Sequence, residues 1–540
     1  MLRHLLVIVL LSSASLSAAP ERVQVTVLST TDLHGNLYPV DYYANRPSNV
    51  GLAKVATLIR QARRHAPDLI LLDSGDTIQG TPLAYYHNRI DNAPADPMIL
   101  AMNALGFDGL AIGNHEYNFG LGVLQKAQQE ARFPWLSANT LRAGTNEPAY
   151  PPYLLKTVRG VRVGILGLTT AGVPGWENPE NYVGLKFADP VATAHRWVEH
   201  LRREEKVDLV VIAMHMGLEE DLATGQVSPG QQPMENCALQ IAREVPGIDL
   251  ILMGHTHRHI PSLVVGDTLL AQAGRWGDHL IRADVYLERQ DPTAPWRVVA
   301  RSSQSFAITD ASAADPEILE LGKPYHEATE AWLNRPIGRS QQPLSGAEAR
   351  LKDTALIDLI QRVQLDAGQA DVSFTASFNP AARLPAGDVT VRDIAGLYVY
   401  ENTLIVVELT GAQIKEALEH SARYFRDGEP GRSPTELIDP RIPGYNFDLA
   451  EGVEYTIDLR RPHGDRIVDL RWKGAPLDPA QRLRVAINNY RLNGGGGYTM
   501  FREAPVLHRS STEIRDLIIH WVERHPEIPT EPTNNWRLVW

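Results

Sequence analysis

Five apolar, strand-like runs in the first half of the chain each end on residue types that ligate metal ions. No other feature constrains the fold as tightly. "VTVLSTT" leads into Asp32-Leu33-His34, "LILLDSG" into Asp76, "GLAIG" into Asn114-His115-Glu116, "LVVIAM" into His215, and "LILMG" into His255-Thr256-His257. In an α/β sheet the carboxyl ends of parallel strands share one edge, where ligands commonly bind, so residues far apart in sequence converge there. Taken singly, a histidine after a strand is an ordinary hydrogen-bonded loop residue. Five such ends in one region are poorly explained that way, and the glycines of "GNHE" and "GHTH" let the backbone turn tightly as it presents the side chains.

Carboxylates, an amide and neutral imidazoles suit borderline-hard divalent cations such as Mn, Zn, Co or Fe, with geometry rather than one ligand type setting identity. Asp32, His34, Asp76, Asn114, His215, His255 and His257 exceed the three or four protein ligands of a single catalytic zinc. Two divalent metal ions per chain are therefore expected. If Asp76 bridges, Asp32, His34 and His257 complete one centre, and Asn114, His215 and His255 the other. Ions held roughly 3.5–4 Å apart clamp a hydroxide and a phosphoryl oxygen for in-line displacement.

From Val23 to about Phe306 the apolar runs alternate with amphipathic stretches such as 52–65 and 96–106, the pattern of an α/β domain. Asp96-Pro97 is a good helix start. Residues 308–340 are polar, helical in pattern and broken by Pro316, Pro324 and Pro336, which predicts a linker containing a helix. Beyond it, helices are expected at about 352–367 and 411–424, and strands near 403–410, 453–459, 466–473 and 482–488. The division is a catalytic domain at 22–307, the linker, and a second α/β domain at 341–540. A chain of 540 residues with 44% apolar content has the length for two cores.

The net charge of −12, with interspersed signs and no long basic run, argues against a nucleic-acid polymer as partner. Residues 1–19 place Arg3 before the apolar run Leu5 to Leu11 and then small residues, the layout of a secretory signal peptide, so export to the periplasm is expected. The single cysteine, Cys237, gives neither a disulfide framework nor a lipidated residue after the signal. No later run reaches membrane-spanning length, and the tail "EPTNNWRLVW" is no lipid-anchor signal. A monomer without a membrane anchor is the expectation.

The segments "TTDLHGN", "SGDTIQG", "GNHEYNFG", "AMHMG" and "GHTH", in this order, resemble the calcineurin-like metallophosphoesterases, specifically the exported nucleotidases with an appended 5′-nucleotidase-type carboxyl domain. Further segments, "VDYY" (40–43), "GRWGDHL" (274–280), "YENTLIVVELTG" (400–411), "YNFDLAEGVEYTID" (445–458), "AINNYRLNGGGG" (486–497) and "NNWRL" (534–538), resemble its 2′,3′-cyclic-nucleotide 2′-phosphodiesterase/3′-nucleotidase branch. The resemblance implies an α/β fold of two domains: a β-sandwich flanked by helices, then a 5′-nucleotidase-type α/β domain. It also implies that Asp76 bridges the metals and that His115 sits beside the phosphate without ligating metal, stabilising charge or protonating the departing ribose oxygen.

By the same resemblance, Tyr400 and Tyr490 clamp the base, and the carboxyl domain rotates to bring the phosphate to the metals. Stacking on aromatic faces tolerates any base, at roughly 1–3 kcal/mol per base. The bland alternative is that both tyrosines are ordinary strand-edge aromatics. Two positions depart from the 5′-nucleotidase pattern. Asn118 stands where an aspartate usually follows the histidine, so a catalytic His-Asp pair is not carried over, and Gly496 stands where an aspartate usually holds the ribose. The run Gly494 to Gly497, by itself an ordinary turn signal, could beside Tyr490 let backbone approach the ribose, and Trp276 is either a residue lining the entrance on the metal-domain side or, equally, a core or surface tryptophan. The expected function is hydrolysis of 2′,3′-cyclic nucleotides to 3′-nucleotides, and of these to nucleoside and phosphate. The alternatives are a 5′-nucleotidase or nucleotide-sugar hydrolase, the family's thiosulfate-pathway branch, and a non-catalytic nucleotide-binding module.

Overall fold

The structure is a computed structural model that describes residues 20–222, 224–227, 234–400, 402–429 and 431–540, with the backbone alone at Ser511. The expected signal peptide, 1–19, lies outside the described residues. Two six-stranded sheets form the amino-terminal unit. The first runs Arg297–Ala307, His279–Arg289, Glu21–Thr30, Ile70–Asp73, Gly109–Ala111, Trp135–Leu136, and the second His259–Val265, Thr268–Ala273, Leu250–Met253, Leu209–His215, Val161–Thr169, Tyr153–Val158. The sheets pack face to face. Val25, Val27, Ile70 and Leu72 of the first share one core with Ile165, Val211, Leu250 and Leu252 of the second.

Helices cover both outer faces, giving the helix-flanked sandwich the resemblance implied. Leu52–His65 buries Leu52, Val55, Ala56 and Ile59, a helical stripe, against the first sheet's outer layer. Pro97–Leu105 joins it, started by Asp96, whose carboxylate accepts from the N–H groups of Met98 and Ile99. Pro190–Arg203 and Ala238–Glu244 cover the second sheet.

The strands that matter for function are parallel within each sheet. Thr30 is level with Asp73, Asp73 with Leu110, and His215 with Thr169, so their carboxyl ends open on one edge.

The helix Pro316–Leu333 is capped by Asp315 and runs through Pro324 without breaking there. Its Ile318 packs in the amino-terminal unit's outer layer and its Leu333 in the carboxyl-terminal core, so the helix is packed on both units rather than free. Pro336–Ser340, grouped with the linker on sequence, is a strand of the carboxyl-terminal unit, paired with Gly387–Thr390 and Glu527–Ile528. That unit is built on a five-stranded sheet ordered Asp448–Glu451, Val372–Ala376, Arg482–Asn488, Thr403–Thr410, Val506–Glu513, with a four-stranded sheet beside it. The helices Ala355–Gly368 and Gly411–Ser421 fall at the expected places, the second started by a capping box between Thr410 and Gln413. Among the described residues, no helix is long and apolar enough to cross a membrane.

Candidate metal centre and substrate cleft

The strand ends carry unusual backbone. Asp32, His34, Asp76, His255 and His257 have φ of 50°, 47°, 59°, 70° and 55°, all in the left-handed region. Each such non-glycine residue costs roughly 1–3 kcal/mol and persists only where its surroundings over-determine it. Here the turns are tied to one another. Asp32 N–H donates to Gly75 O (2.9 Å), His34 N–H to Asp76 O (2.8 Å), and Trp276 N–H to Asp32 O (2.7 Å). The N–H of His255 donates to both oxygens of Asp32 at 3.1 Å.

The result is two clusters of donor atoms, Asp32 with His34 and His257, and Asp76 with His215 and His255, each within 4.8 Å. Asp76 touches both. Its Oδ2 lies 2.9 Å from His215 Nε2 and 3.8 Å from His34 Nε2. His257 Nε2 is 3.4 Å from Asp32 Oδ1 and 3.0 Å from His34 Nε2. Asn114, the remaining expected ligand, lines the cleft, and its Oδ1 is buried without a hydrogen-bond partner among the described residues. The sequence thus singled out side chains that the fold gathers at one place.

Hydrogen bonds behind the rings set their tautomers. His34 Nδ1 faces Gln79 O (3.2 Å) and His215 Nδ1 faces Ser74 O (2.7 Å). Carbonyls only accept, so each Nδ1 carries a proton and each Nε2 is the nitrogen that faces the cluster, where a bound cation would take the place of its proton. His255 Nε2 faces Glu235 Oε1 at 3.2 Å.

Asp32 and Asp76 are fully buried, and their ion-pair partners among the described residues are all histidines. Burial opposes charge on Asp76, yet His215, His115 and His34 hold its carboxyl well below the usual range. Burial opposes charge on His215 too, but Asp76 and Asp32 push it up to about 10. His34 is brought down to about 4 by burial, reinforced by His115 and His257 and opposed by Asp76. Buried carboxylates that demand positive charge, inward-facing imidazole nitrogens and an orphaned amide oxygen fit divalent cations.

Residues not singled out as site residues on sequence hold this arrangement. Glu116, buried beneath the site, accepts from the N–H groups of Gly113 (2.7 Å), Asp76 (2.9 Å) and Thr77 (2.6 Å), so one carboxylate clamps two of the ligand turns. Burial and the charge of Asp76 push it up to about 7. Asp73 accepts from Thr30 Oγ1, Gly75 N–H and Thr77 Oγ1, and burial raises it to about 6 against those bonds. The signal for Glu116 was its place in "GNHE"; its three donors come from two separate segments.

His115 stands at the cluster's open side, half-buried, with Nε2 4.0 Å from Asp76 Oδ2. Its Nδ1 is 2.5 Å from Asn118 Oδ1, and Asn118 Nδ2 donates to Glu177 Oε2 at 2.6 Å. Above the clusters a cleft of about 1300 Å³ opens between the two units. Tyr400 and Tyr490 line it and are 44% and 36% exposed, whereas their sequence neighbours Tyr398 and Tyr498 are wholly buried. Tyr445, 41% exposed, lines it as a third aromatic, which the sequence reading did not single out. Trp276 lines the amino-terminal side with the Arg275 guanidinium 4.1 Å from its ring centre. The glycine run packs under Tyr490: a Cβ on Gly495 would come within 2.5 Å of the Tyr490 ring. The units meet beside the cleft where Asn489 Nδ2 donates to Trp176 O (2.9 Å).

Comparison with known proteins gives this geometry a family. Residues 25–259 match the calcineurin-like phosphoesterase model and residues 336–503 the 5′-nucleotidase C-terminal domain. The 2′,3′-cyclic-nucleotide 2′-phosphodiesterase/3′-nucleotidase of Haemophilus influenzae is 30% identical, covering 96% of this chain and 88% of its own. The trifunctional nucleotide phosphoesterase protein YfkN of Bacillus subtilis is 27% identical over 97% of this chain, which spans 39% of that longer protein. A crystal structure from Staphylococcus aureus, described as a candidate 5′-nucleotidase in complex with α-ketoglutarate, aligns with a TM-score of 0.82 at 27% identity, over 96% of this chain and all of that one. Its donor atoms, its two domain matches and its relatives make this chain a metal-dependent phosphoester hydrolase belonging to the calcineurin-like phosphoesterases with a 5′-nucleotidase C-terminal domain, the family of the 2′,3′-cyclic-nucleotide 2′-phosphodiesterase/3′-nucleotidases.

Proposed function

We propose that this chain is an exported nucleotide-scavenging enzyme that opens 2′,3′-cyclic nucleotides to 3′-nucleotides and then releases nucleoside and phosphate. The observation that carries this reading is the arrangement of two donor clusters sharing Asp76 at one side of a cleft, with Tyr400 and Tyr490 exposed in the same cleft. The division of labour follows the units: residues 22–307 hold the reacting phosphate, and residues beyond the 308–340 segment hold the base.

In this reading Asp32, His34, Asp76 and His257 hold one ion, and Asp76, Asn114, His215 and His255 the other. When bound, two divalent ions polarise the phosphoryl oxygens and activate water. The carbonyls behind His34 and His215 hold each Nδ1 proton, so that Nε2 is the nitrogen each ring would offer to an ion. His115 Nε2 faces the reacting phosphate; with Nδ1 already protonated against Asn118, the ring takes up a second proton on Nε2 and, as imidazolium, passes that one to the ribose oxygen that leaves, the 2′ oxygen in the first step and the 3′ oxygen in the second. The tyrosines hold any base by its flat face, so one site serves several nucleotides.

The test is product release from 2′,3′-cyclic AMP, 3′-AMP and 5′-AMP by the purified protein, with and without chelator and added Mn²⁺. Chelator-sensitive turnover of the cyclic and 3′ substrates, with little on 5′-AMP, is expected. Preference for 5′-AMP would move the chain to the 5′-nucleotidase side of its family.

A further inference from the structure

We propose that Glu177 is a positioning residue for His115, acting through the Asn118 amide. This rests on the phosphate-facing role given to His115 above. A side-chain amide offers an acceptor on one side and donors on the other, so Asn118 alone could present either to an imidazole. Glu177 removes the choice. Its Oε2 accepts from Asn118 Nδ2 at 2.6 Å, which turns Oδ1 toward His115 Nδ1 at 2.5 Å. An amide oxygen only accepts, so Nδ1 carries the ring proton and Nε2 is the nitrogen left to the cleft. With the amide reversed, Nδ2 would meet Nδ1, which would have to keep its lone pair, and the ring could not carry the second proton that Nε2 passes to the leaving oxygen.

Glu177 is itself fixed. Its Oε1 accepts from Asn178 N–H (2.6 Å) and Asn181 Nδ2 (2.9 Å), and Asn181 Nδ2 also donates to Asn118 O (3.1 Å). Among the described residues, the donors to this carboxylate are amide N–H groups, two of which, from Asn178 and Asn181, fix Oε1 and leave Oε2 to Asn118. The arm that carries it is seated from the substrate-binding side, since Trp176 O accepts from Asn489, the neighbour of Tyr490. The carboxylate missing from position 118 is thus present one amide further back.

The experiment measures kcat and KM on 2′,3′-cyclic AMP for wild type, His115→Ala, Glu177→Gln, Asn118→Asp and the Asn118→Asp/Glu177→Gln double variant. Glu177→Gln should lower kcat about tenfold, the scale of lost support behind a functional side chain, with KM within about twofold. In the Asn118→Asp background the sign should reverse. There a carboxylate meets His115 directly, Glu177 becomes an adjacent like charge, and Glu177→Gln leaves kcat unchanged or raises it. An equal loss in both backgrounds would overturn the proposal and make Glu177 a pin of its loop. Unchanged kcat in His115→Ala would instead remove the role on which the proposal rests. Should Glu177→Gln not fold, Glu177→Asp carries the same comparison.

Discussion

At the scale of single residues, the expected ion ligands and His115 have separable roles in the proposed function. Asp76 is the point where both clusters meet, and His115 lies beside it on the open side. His115→Ala is expected to lower kcat by about 10²–10⁴, the usual contribution of acid–base catalysis, while the protein still binds its full complement of ions. Elemental analysis beside kinetics checks this. Loss of bound metal in that variant would make His115 a ligand. The residues of the two donor clusters, and Asn114 beside them, were legible in the sequence because metal-ligating residue types recur where apolar runs stop. Glu116, Asp73, Glu235 and Tyr445 were not, because each is tied in by a group from a distant segment: Asp76 and Thr77 N–H to Glu116, Thr30 Oγ1 to Asp73, the His255 ring to Glu235, and the opposite cleft wall for Tyr445.

At the scale of elements, boundaries were readable where caps mark them. Asp96-Pro97 starts a helix as expected, and Thr410 with Gln413 starts another. The strand Pro336–Ser340 was not readable as such, because its partners lie at 387–390 and 527–528 and nothing local records the pairing. Nor was the run of helix through Pro324, which packing on two cores sustains against the missing N–H. The helix Ala355–Gly368 carries its own liability. Asp358, in its first turn, is buried, and burial together with Asp353 and Glu451 raises its carboxyl to about 7, against the N–H of Thr533; Arg362 lies near Glu451. The folded chain therefore holds this proton more tightly than the unfolded one. Stability from this group falls as pH rises from about 4 toward about 7, since the folded state must give up a proton it binds well. Asp358→Asn keeps an acceptor for Thr533 and is expected to show a smaller drop in Tm between pH 5 and pH 8 than wild type. Parallel pH profiles would show that Asp358 does not titrate in this way.

At the scale of the whole molecule, the two donor clusters and the exposed rings of Tyr400, Tyr445 and Tyr490 sit on different units that meet across one cleft. The sandwich was legible in the alternation of buried strands and amphipathic helices, and its family in the order of five short segments. The closeness of the two units was not, since it rests on pairings between distant segments, such as Tyr42 and Leu83 in the carboxyl-terminal core and Asn489 with Trp176. The central claim is that two ions, sharing Asp76, perform the hydrolysis. The most direct measurement strips the protein with chelator and titrates Mn²⁺ back while following cyclic-nucleotide turnover and bound metal together. The account predicts activity that keeps rising until two ions are bound per chain, and no recovery in Asp76→Ala. Full activity at one ion per chain, or turnover that survives chelation, would contradict it.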